Sequence, residues 1–368
     1  MNFENTYEKR LEKLENYGIE EGFDAIVIYS DVWRCGNVQF FTGWIPTGGG
    51  IGQASTLLII FPGQKPILGV GYEQEEEAKK ISMLTATSAE NAIELISKKK
   101  SIKKAGIIGT NIIPYNMYKT LLHEINADEM IDITGVLDKW KMVKEDWEIR
   151  LLEEASRISE IAIETAINSI SKGISEIEVM SSALSEIMKR KALPSFYPVV
   201  SFNENTAIPM RFPTNSTLEK PGLVMLDFGA KIEGFAGDIT RTIRYGSISE
   251  EEEKIVSTAI EANEKTKKFI KPGIKSSDVN DLVIKHIEEL GMGDYIEHPS
   301  SHGIGMDHEE YFPVDPAGAI QLAKNMIFTV EAGVYVPGVG GARVEDVVII
   351  TEDGCRGLTS FDRDITLQ

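Results

Sequence analysis

The sequence predicts an α+β protein in two parts, a smaller α/β domain over residues 1–140 and a larger mixed domain over 141–368. Three observations carry that expectation. At ~150 residues per domain, a chain of 368 residues holds two to three domains' worth of material. The first third alternates short apolar runs with charged helical stretches, as α/β units do. From Val143-Lys144-Glu145-Asp146-Trp147 onward the pattern shifts to a long helix, with Ile149, Leu152, Ala155, Ala162 and Ala166 recurring at helical spacing.

A charged helix runs to about Tyr17 and leads into the strand Ala25–Tyr29. The run Thr56–Phe61 is a second strand, stopped by Pro62-Gly63. Helices over Glu73–Lys80 and Ala89–Lys98, the strand Ala105–Gly109 and a short helix after Pro114 complete the first domain. In the second, Leu223–Leu226, Ile327–Val330 and Asp346–Ile350 read as strands between helices. Gly173-Ile174 recurs as Gly273-Ile274, and Glu178-Val179 as Asp278-Val279, each one hundred residues on. Each copy ends a helix at glycine and opens another with an acid in its first turn. Either two dipeptides match by chance, or a helix-turn-helix unit is duplicated and a two-fold-like site lies between the halves.

Charge and cysteine use exclude several functions. Lys and Arg number 38 against 57 Asp and Glu, a balance of −19 that disfavours nucleic acid and anionic membrane as partners. No stretch approaches the ~20 apolar residues of a membrane helix, and no apolar segment follows a basic one at the start, so a cytoplasmic protein is expected. Cys35 and Cys355 form no CxxC pair, which leaves oxygen and imidazole as the ligands for any metal.

His123 and His286 lie in polar helical stretches and read as solvated surface residues. His298, His302 and His308 crowd into one glycine-containing loop that neither helix nor plain strand explains. Three acids follow or border apolar strands: Asp227 after Leu223–Leu226, Glu331 after Ile327–Val330, and Glu345 at the mouth of Val347–Ile350. Asp238 stands eleven residues after Asp227, a spacing that a hairpin returns to the same level. Taken singly, each acid reads as a strand end facing solvent. Four carboxylates and an imidazole together form an oxygen-rich set suited to Mn, Co, Fe or Zn in pairs, whose +4 would balance the −4 of the acids. Two such ions sharing a water would bring its pKa to roughly 7, which points to hydrolysis.

Other features are blander. Thr47–Gly52 is rich in glycine, but no GK[ST] follows, so it reads as a loop between strands. Trp33, Trp44, Trp140 and Trp147 read as core or interface, with Trp44 the best placed to line a pocket.

The runs Leu193-Pro194-Ser195-Phe196, Asn205-Thr206-Ala207-Ile208-Pro209, Leu226-Asp227-Phe228-Gly229, Gly237–Thr242, His302-Gly303-Ile304-Gly305, Val330–Tyr335 and Gly341–Asp346 resemble the pita-bread metallopeptidases: Xaa-Pro dipeptidase, aminopeptidase P and creatinase. The likeness covers about residues 143–368. Phe40-Phe41-Thr42-Gly43-Trp44 is similar to their N-terminal domain. The resemblance implies a pita-bread fold with a pseudo-two-fold repeat, a cofactor of two divalent ions (Mn, Co or Zn), a short peptide or small amide substrate and a homodimer. It makes Asp227 a terminal ligand of one ion, His302 and Glu331 terminal ligands of the other, and Asp238 and Glu345 bridges. Glu331 would also help deprotonate the shared water, a metal-bridging hydroxide. Arg343 would orient Glu345 or a substrate carboxylate, with a surface ion pair as its alternative.

Two positions depart from the family. Met210 stands where Pro-His is usual, and a thioether offers no hydrogen bond to an oxyanion. Glu309 stands where a second histidine is common, with His308 one place early, so either a bulge brings His308 to the catalytic position or Glu309 stands there alone. The activity expected is that of an Xaa-Pro dipeptidase or aminopeptidase P-like hydrolase. The alternatives are an amidohydrolase of a non-peptide molecule and a catalytically weak peptide-binding protein.

Overall fold

The computed structural model describes residues 4–47, 55–98 and 102–368 and divides into two compact units, Met1–Lys141 and Met142–Gln368. The Gly48–Gly52 run falls outside the described residues. Among those described, no helix is long and apolar enough to cross a membrane.

The first unit is a six-stranded sheet with the order β4-β3-β2-β1-β5-β6. Its strands are β1 (Ala25–Ser30), β2 (Thr56–Ile60), β3 (Ile67–Val70), β4 (Thr85–Ser88), β5 (Lys104–Ile108) and β6 (Glu129–Asp132). Its helices are α1 (Glu4–Glu21), α2 (Gly36–Thr42), α3 (Glu75–Ala78), α4 (Ala89–Ser97), α5 (Tyr115–Ile125) and α6 (Thr134–Met142), the last reaching the division. The central β1 is buried along its whole length because it pairs on both sides, antiparallel with β2 and parallel with β5. Only a 3-10 turn and one helical turn form where the sequence suggests a helix over Glu73–Lys80. Trp44 is buried within this unit.

The second unit is built on β8 (Val199–Phe202), β9 (Gly222–Phe228), β12 (Ile239–Tyr245), β13 (Ile327–Val336) and β14 (Gly340–Ile350), in the order β13-β14-β12-β9-β8. Short strands β15 (Cys355–Gly357) and β16 (Thr366–Leu367) add to β14 and β12. A small sheet of β7 (Leu193–Pro194), β10 (Ala230–Ile232) and β11 (Phe235–Ala236) stands apart. Helices α7 (Asp146–Ser169) and α8 (Glu176–Lys189) serve the first half, and α9 (Glu250–Phe269) and α10 (Ser276–Glu289) the second. Side chains alternate across each strand. Val224, Leu226, Phe228, Ile239 and Ile243 pack in the core that also takes Ile158, Ala162 and Val179 of α7 and α8. Phe328, Val330, Ala332, Val334 and Val344 pack with Val256, Ala259 and Val283 of α9 and α10. The intervening positions, Asp227, Thr240, Glu331, Tyr335, Arg343 and Glu345, therefore share the opposite face.

The duplication seen in the sequence is repeated in hydrogen bonds. Gly173 and Gly273 have φ of 87° and 89°, the left-handed region that favours glycine. Gly173 N donates to Leu218 O and Gly273 N to Leu322 O; Glu176 N donates to Ser216 O and Ser276 N to Ile320 O. The carboxylates of Glu178 and Asp278 accept from the amides of Ser175 and Lys275, satisfying one orphan donor in each half. The fold is the pita-bread fold with its pseudo-two-fold repeat.

Two expectations are corrected. Glu331 and Glu345 lie inside long strands rather than at strand ends; the apolar alternation resumes beyond each acid, and reading the charge as a terminator truncated both strands. His286 is half-buried and not a solvated surface residue, whereas His123 is exposed.

Close approach fixes Gly237, beside Asp238. A Cβ there would lie 2.6 Å from the carbonyl carbon of Ala155 on α7. Gly237→Ala is expected to destabilise the protein by about 1–3 kcal/mol through overpacking, seen as a lower midpoint in urea; an unchanged midpoint would contradict this packing.

Candidate metal centre

Register brings the acids together. Glu331 pairs with Glu345, Glu345 with Thr240, and Thr240 with Asp227, giving one row across β13, β14, β12 and β9. Directly opposed residues point to the same face, with Cβ atoms about 4.5–5.5 Å apart. Asp238 lies two residues before Thr240, just ahead of β12. His302 comes from the loop before β13, its backbone tied to Thr329. Its Nε2 lies 3.6 Å from Glu345 Oε1, 3.7 Å from Asp238 Oδ2 and 4.0 Å from Glu331 Oε1. All five predicted ligands thus share one face or its edge.

The donor set fits divalent ions. Asp227 Oδ1, Asp238 Oδ1 and Glu345 Oε1 are buried without a hydrogen-bond partner, a costly state that hard cations relieve. Donor atoms of Asp238, His302 and Glu345 all lie within 4.8 Å of one another. His302 Nδ1 donates to the Gly303 carbonyl at 3.0 Å, which turns Nε2 toward the carboxylates.

Arg343 is 2% exposed, which removes the surface ion pair as its role. Its Nη2 meets Asp227 Oδ2 at 2.5 Å, Nη1 donates to the Pro209 carbonyl at 3.0 Å, and Nε donates to Thr240 Oγ1 at 3.2 Å. Thr240 in turn donates to Glu345 Oε2 at 2.8 Å. The guanidinium therefore holds Asp227 directly and reaches Glu345 only through Thr240. His308 lies toward the site, its ring 6.5 Å from that of His302 and 5.3 Å from that of Phe196. Glu309 is 67% exposed at its side chain. Met210 is 71% exposed.

Three further residues join the site: His298, singled out in the sequence only as one of three crowded histidines, and Tyr335 and Thr240, for which no role was expected. Tyr335 accepts from Arg343 Nη1 at 2.9 Å and donates to His298 Nε2 at 2.8 Å. His298 Nδ1 donates to the Pro299 carbonyl and lies 3.8 Å from Glu331 Oε2. A Cβ at Gly333 would stand 2.6 Å from both His298 Nε2 and Tyr335 Oη, so that glycine makes the pairing possible. Period-two spacing is the signal that finds Tyr335 from Glu331 and Thr240 from Asp238.

Crowding of like charge sets the electrostatics. Burial lifts Asp227 to about 6 despite the pull of Arg343. Burial, then Glu345 and Asp227, lift Asp238 well above the usual carboxylate range. Burial and Glu345 push Glu331 to about 8. Burial works against a charged His302, but Glu345 and Glu331 outweigh it and raise the imidazole to about 9. Burial also opposes ionised Glu345, yet His302 and Arg343 hold it below its ordinary value. His298 is lowered to about 4 by burial and by Arg343, so it stands neutral.

The sequence profile of metallopeptidase family M24 matches residues 150–352, and that of the creatinase/prolidase N-terminal domain matches residues 10–143. The chain belongs to metallopeptidase family M24. The Xaa-Pro dipeptidase of Pyrococcus furiosus is 31% identical over 97% of this chain and 99% of its own. A putative dipeptidase of Bacillus subtilis is 33% identical over 76% of this chain and 78% of its own. The crystal structure of the prolidase from Pyrococcus horikoshii OT3 superposes with a TM-score of 0.87 at 28% identity, covering 97% of this chain and 99% of that one. This M24 protein is a metal-dependent peptidase.

Asp227, Glu331 and His302 each bind a proton more tightly in the folded than in the unfolded chain. Their stabilisation is complete below the unfolded pKa and is lost as pH climbs through the folded values of about 6, 8 and 9. Glu345, shifted the other way, loses its contribution only as pH falls below the ordinary carboxylate range. His298, lowered to about 4, opposes this trend up to its ordinary value of 6.5. The metal-stripped protein is therefore expected to show a falling Tm from about pH 6.5 to about pH 9, and Mn, Co or Zn to restore it at the alkaline end. A metal-free Tm that rises across this window would contradict the assigned crowding.

Proposed function

We propose that this M24 protein is a dinuclear dipeptidase cleaving peptides with proline after the scissile bond. Asp227, Asp238, His302, Glu331 and Glu345 would hold two divalent ions, Mn, Co or Zn. The convergence of the Asp238, Glu331 and Glu345 carboxylates on His302 Nε2, with one oxygen each of Asp227, Asp238 and Glu345 buried and unpartnered, carries the metal assignment. The proline preference is supported by likeness over nearly the whole chain to the Xaa-Pro dipeptidase of Pyrococcus furiosus.

Divalent ions held by these residues would supply Lewis acidity and bring a bound water to a pKa of roughly 7. The chain's own groups do the rest. Arg343 and Thr240 fix Asp227 and Glu345 by charge-assisted bonds, so neither carboxylate must reorganise as charge develops. Glu331 has no such clamp. Asp238 has none either, but Glu331 is the more accessible of the two, at 14% side-chain exposure against 5%. Glu331 is therefore the one assigned to take the proton of the attacking water and return it to the leaving amine. His308 stands beside His302, and burial lowers it toward the neutral form. In that state its N–H donates to the carbonyl oxygen of the scissile bond. Met210 supplies no equivalent donor.

Metal analysis of the reconstituted protein is expected to return two ions per chain. Glu331→Ala is expected to lose at least about 10³-fold in kcat; turnover equal to wild type would remove the base from Glu331. His308→Ala is expected to lower kcat about 10²-fold while Glu309→Ala leaves it within twofold, measured on an Xaa-Pro panel beside cyclic amides. The reverse ranking would give the position to Glu309.

A further inference from the structure

Glu176, the first residue of α8, is fully buried, and nothing in the proposed chemistry uses it. Its carboxylate gathers the loop between Phe202 and Thr214. Oε1 accepts from Phe202 N at 3.1 Å and Asn205 Nδ2 at 3.0 Å. Oε2 accepts from Arg211 Nη1 at 2.8 Å, Thr214 N at 2.9 Å and Thr214 Oγ1 at 2.8 Å. A buried ion is tolerated only when paired and fully hydrogen-bonded, and every partner here belongs to the two ends of one loop.

Between those ends the loop meets the carboxylate centre. Pro209 O accepts from Arg343, whose other nitrogen binds Asp227. Thr206 Oγ1 accepts from Gly341 N of β14 at 2.7 Å. The loop's outward side chains are apolar: Ile208, Met210 and Phe212 are exposed, and Phe212 packs edge-on against exposed Tyr197, ring centres 4.7 Å apart. A polar anchor inside thus carries an apolar face outside.

The other half of the repeat shows what is particular here. Ser276, the first residue of α10, stands where Glu176 stands, and ties the segment after His308 by donating to Pro313 O and accepting from Ile320 N. A hydroxyl suffices there. The first half uses a buried carboxylate with a half-buried guanidinium partner instead.

We propose that Glu176 is a positioning residue which sets the Pro209–Phe212 segment against Arg343, and that the segment so held presents Met210 to an apolar side chain of the peptide. The proposal rests on the dipeptidase function above. Glu176→Gln removes the charge that holds Arg211 and Thr214 but keeps the shape of the side chain. In the metal-loaded variant, KM for Xaa-Pro dipeptides is expected to rise about tenfold with kcat within twofold and two ions still bound. Unchanged KM, or kcat and metal content falling together, would overturn the positioning role.

Limited trypsin digestion separates the clamp from the peptidase function. Cleavage at Arg211-Phe212 is expected to run faster in Glu176→Gln than in wild type, and equal rates would overturn the clamp even if the wild type hydrolyses no peptide. Should that variant not fold, Thr214→Val removes one of the partners from a partly exposed position. It is expected to raise KM about threefold, and no change would count against the proposal. Met210→Gln tests the contact itself. A selective loss of kcat/KM for Leu-Pro over Gly-Pro is expected, and equal losses would overturn it.

Discussion

Repulsion among four carboxylates enclosed on one face of a sheet is the constraint around which the second unit is organised. At separations of a few ångströms, like charges in a poorly solvated site cannot all ionise without partners. Arg343 answers Asp227, Thr240 supplies a neutral donor to Glu345, and His302 stands among Asp238, Glu331 and Glu345. The balance is left incomplete on the protein's side. Protons or cations make up the difference, and this couples the stability of the fold to what occupies the centre.

The helix-facing side of the same strands carries an opposite arrangement. Asp346, next to Glu345, is fully buried and meets Arg241 at 2.7 Å, Lys267 at 2.7 Å and Arg363 at 2.6 Å. Burial opposes its charge, but those three cations hold its carboxyl far below the ordinary range. Arg241 also donates to the backbone carbonyls of Glu345, Phe361 and Asp362. The chain after β15 is thereby pinned behind the strand that bears Glu345. Cation excess on one face and anion excess on the other oppose each other across a single sheet.

Much of this was legible in the residues. Strand-forming runs, the shift to long helices near Val143 and the acids bordering apolar segments all follow from local pattern. The hundred-residue echo was sparse in sequence, but the paired glycines and acidic first turns that carried it are the groups the structure uses. What stayed hidden depends on pairing. Neither the level of Thr240 with Asp227 nor the reach of Arg343 across to Pro209 has a local signature, because both arise from register between distant strands. Tyr335 and His298 were hidden for a related reason. Their link needs the missing side chain at Gly333, and an absent Cβ announces its purpose only when its neighbours are known.

The adjacency of Glu345 and Asp346 has a consequence for how this sequence can change length. The two acids serve opposite faces, so a slip of one residue in β14 would turn Asp346 toward the anionic row and Glu345 toward the three cations. Both are carboxylates, and neither hydropathy nor net charge would record the error. The short turn over residues 337–339, with Gly338 at φ of 80°, and the pairing of Thr240 with Glu345 together set the frame in which each acid stands. A single-residue insertion or deletion inside β14, on the turn side of Glu345, would therefore exchange the surroundings of the two acids unless a bulge absorbed it. Strand pairing on both sides of β14 acts as the ruler that keeps each acid on its own face.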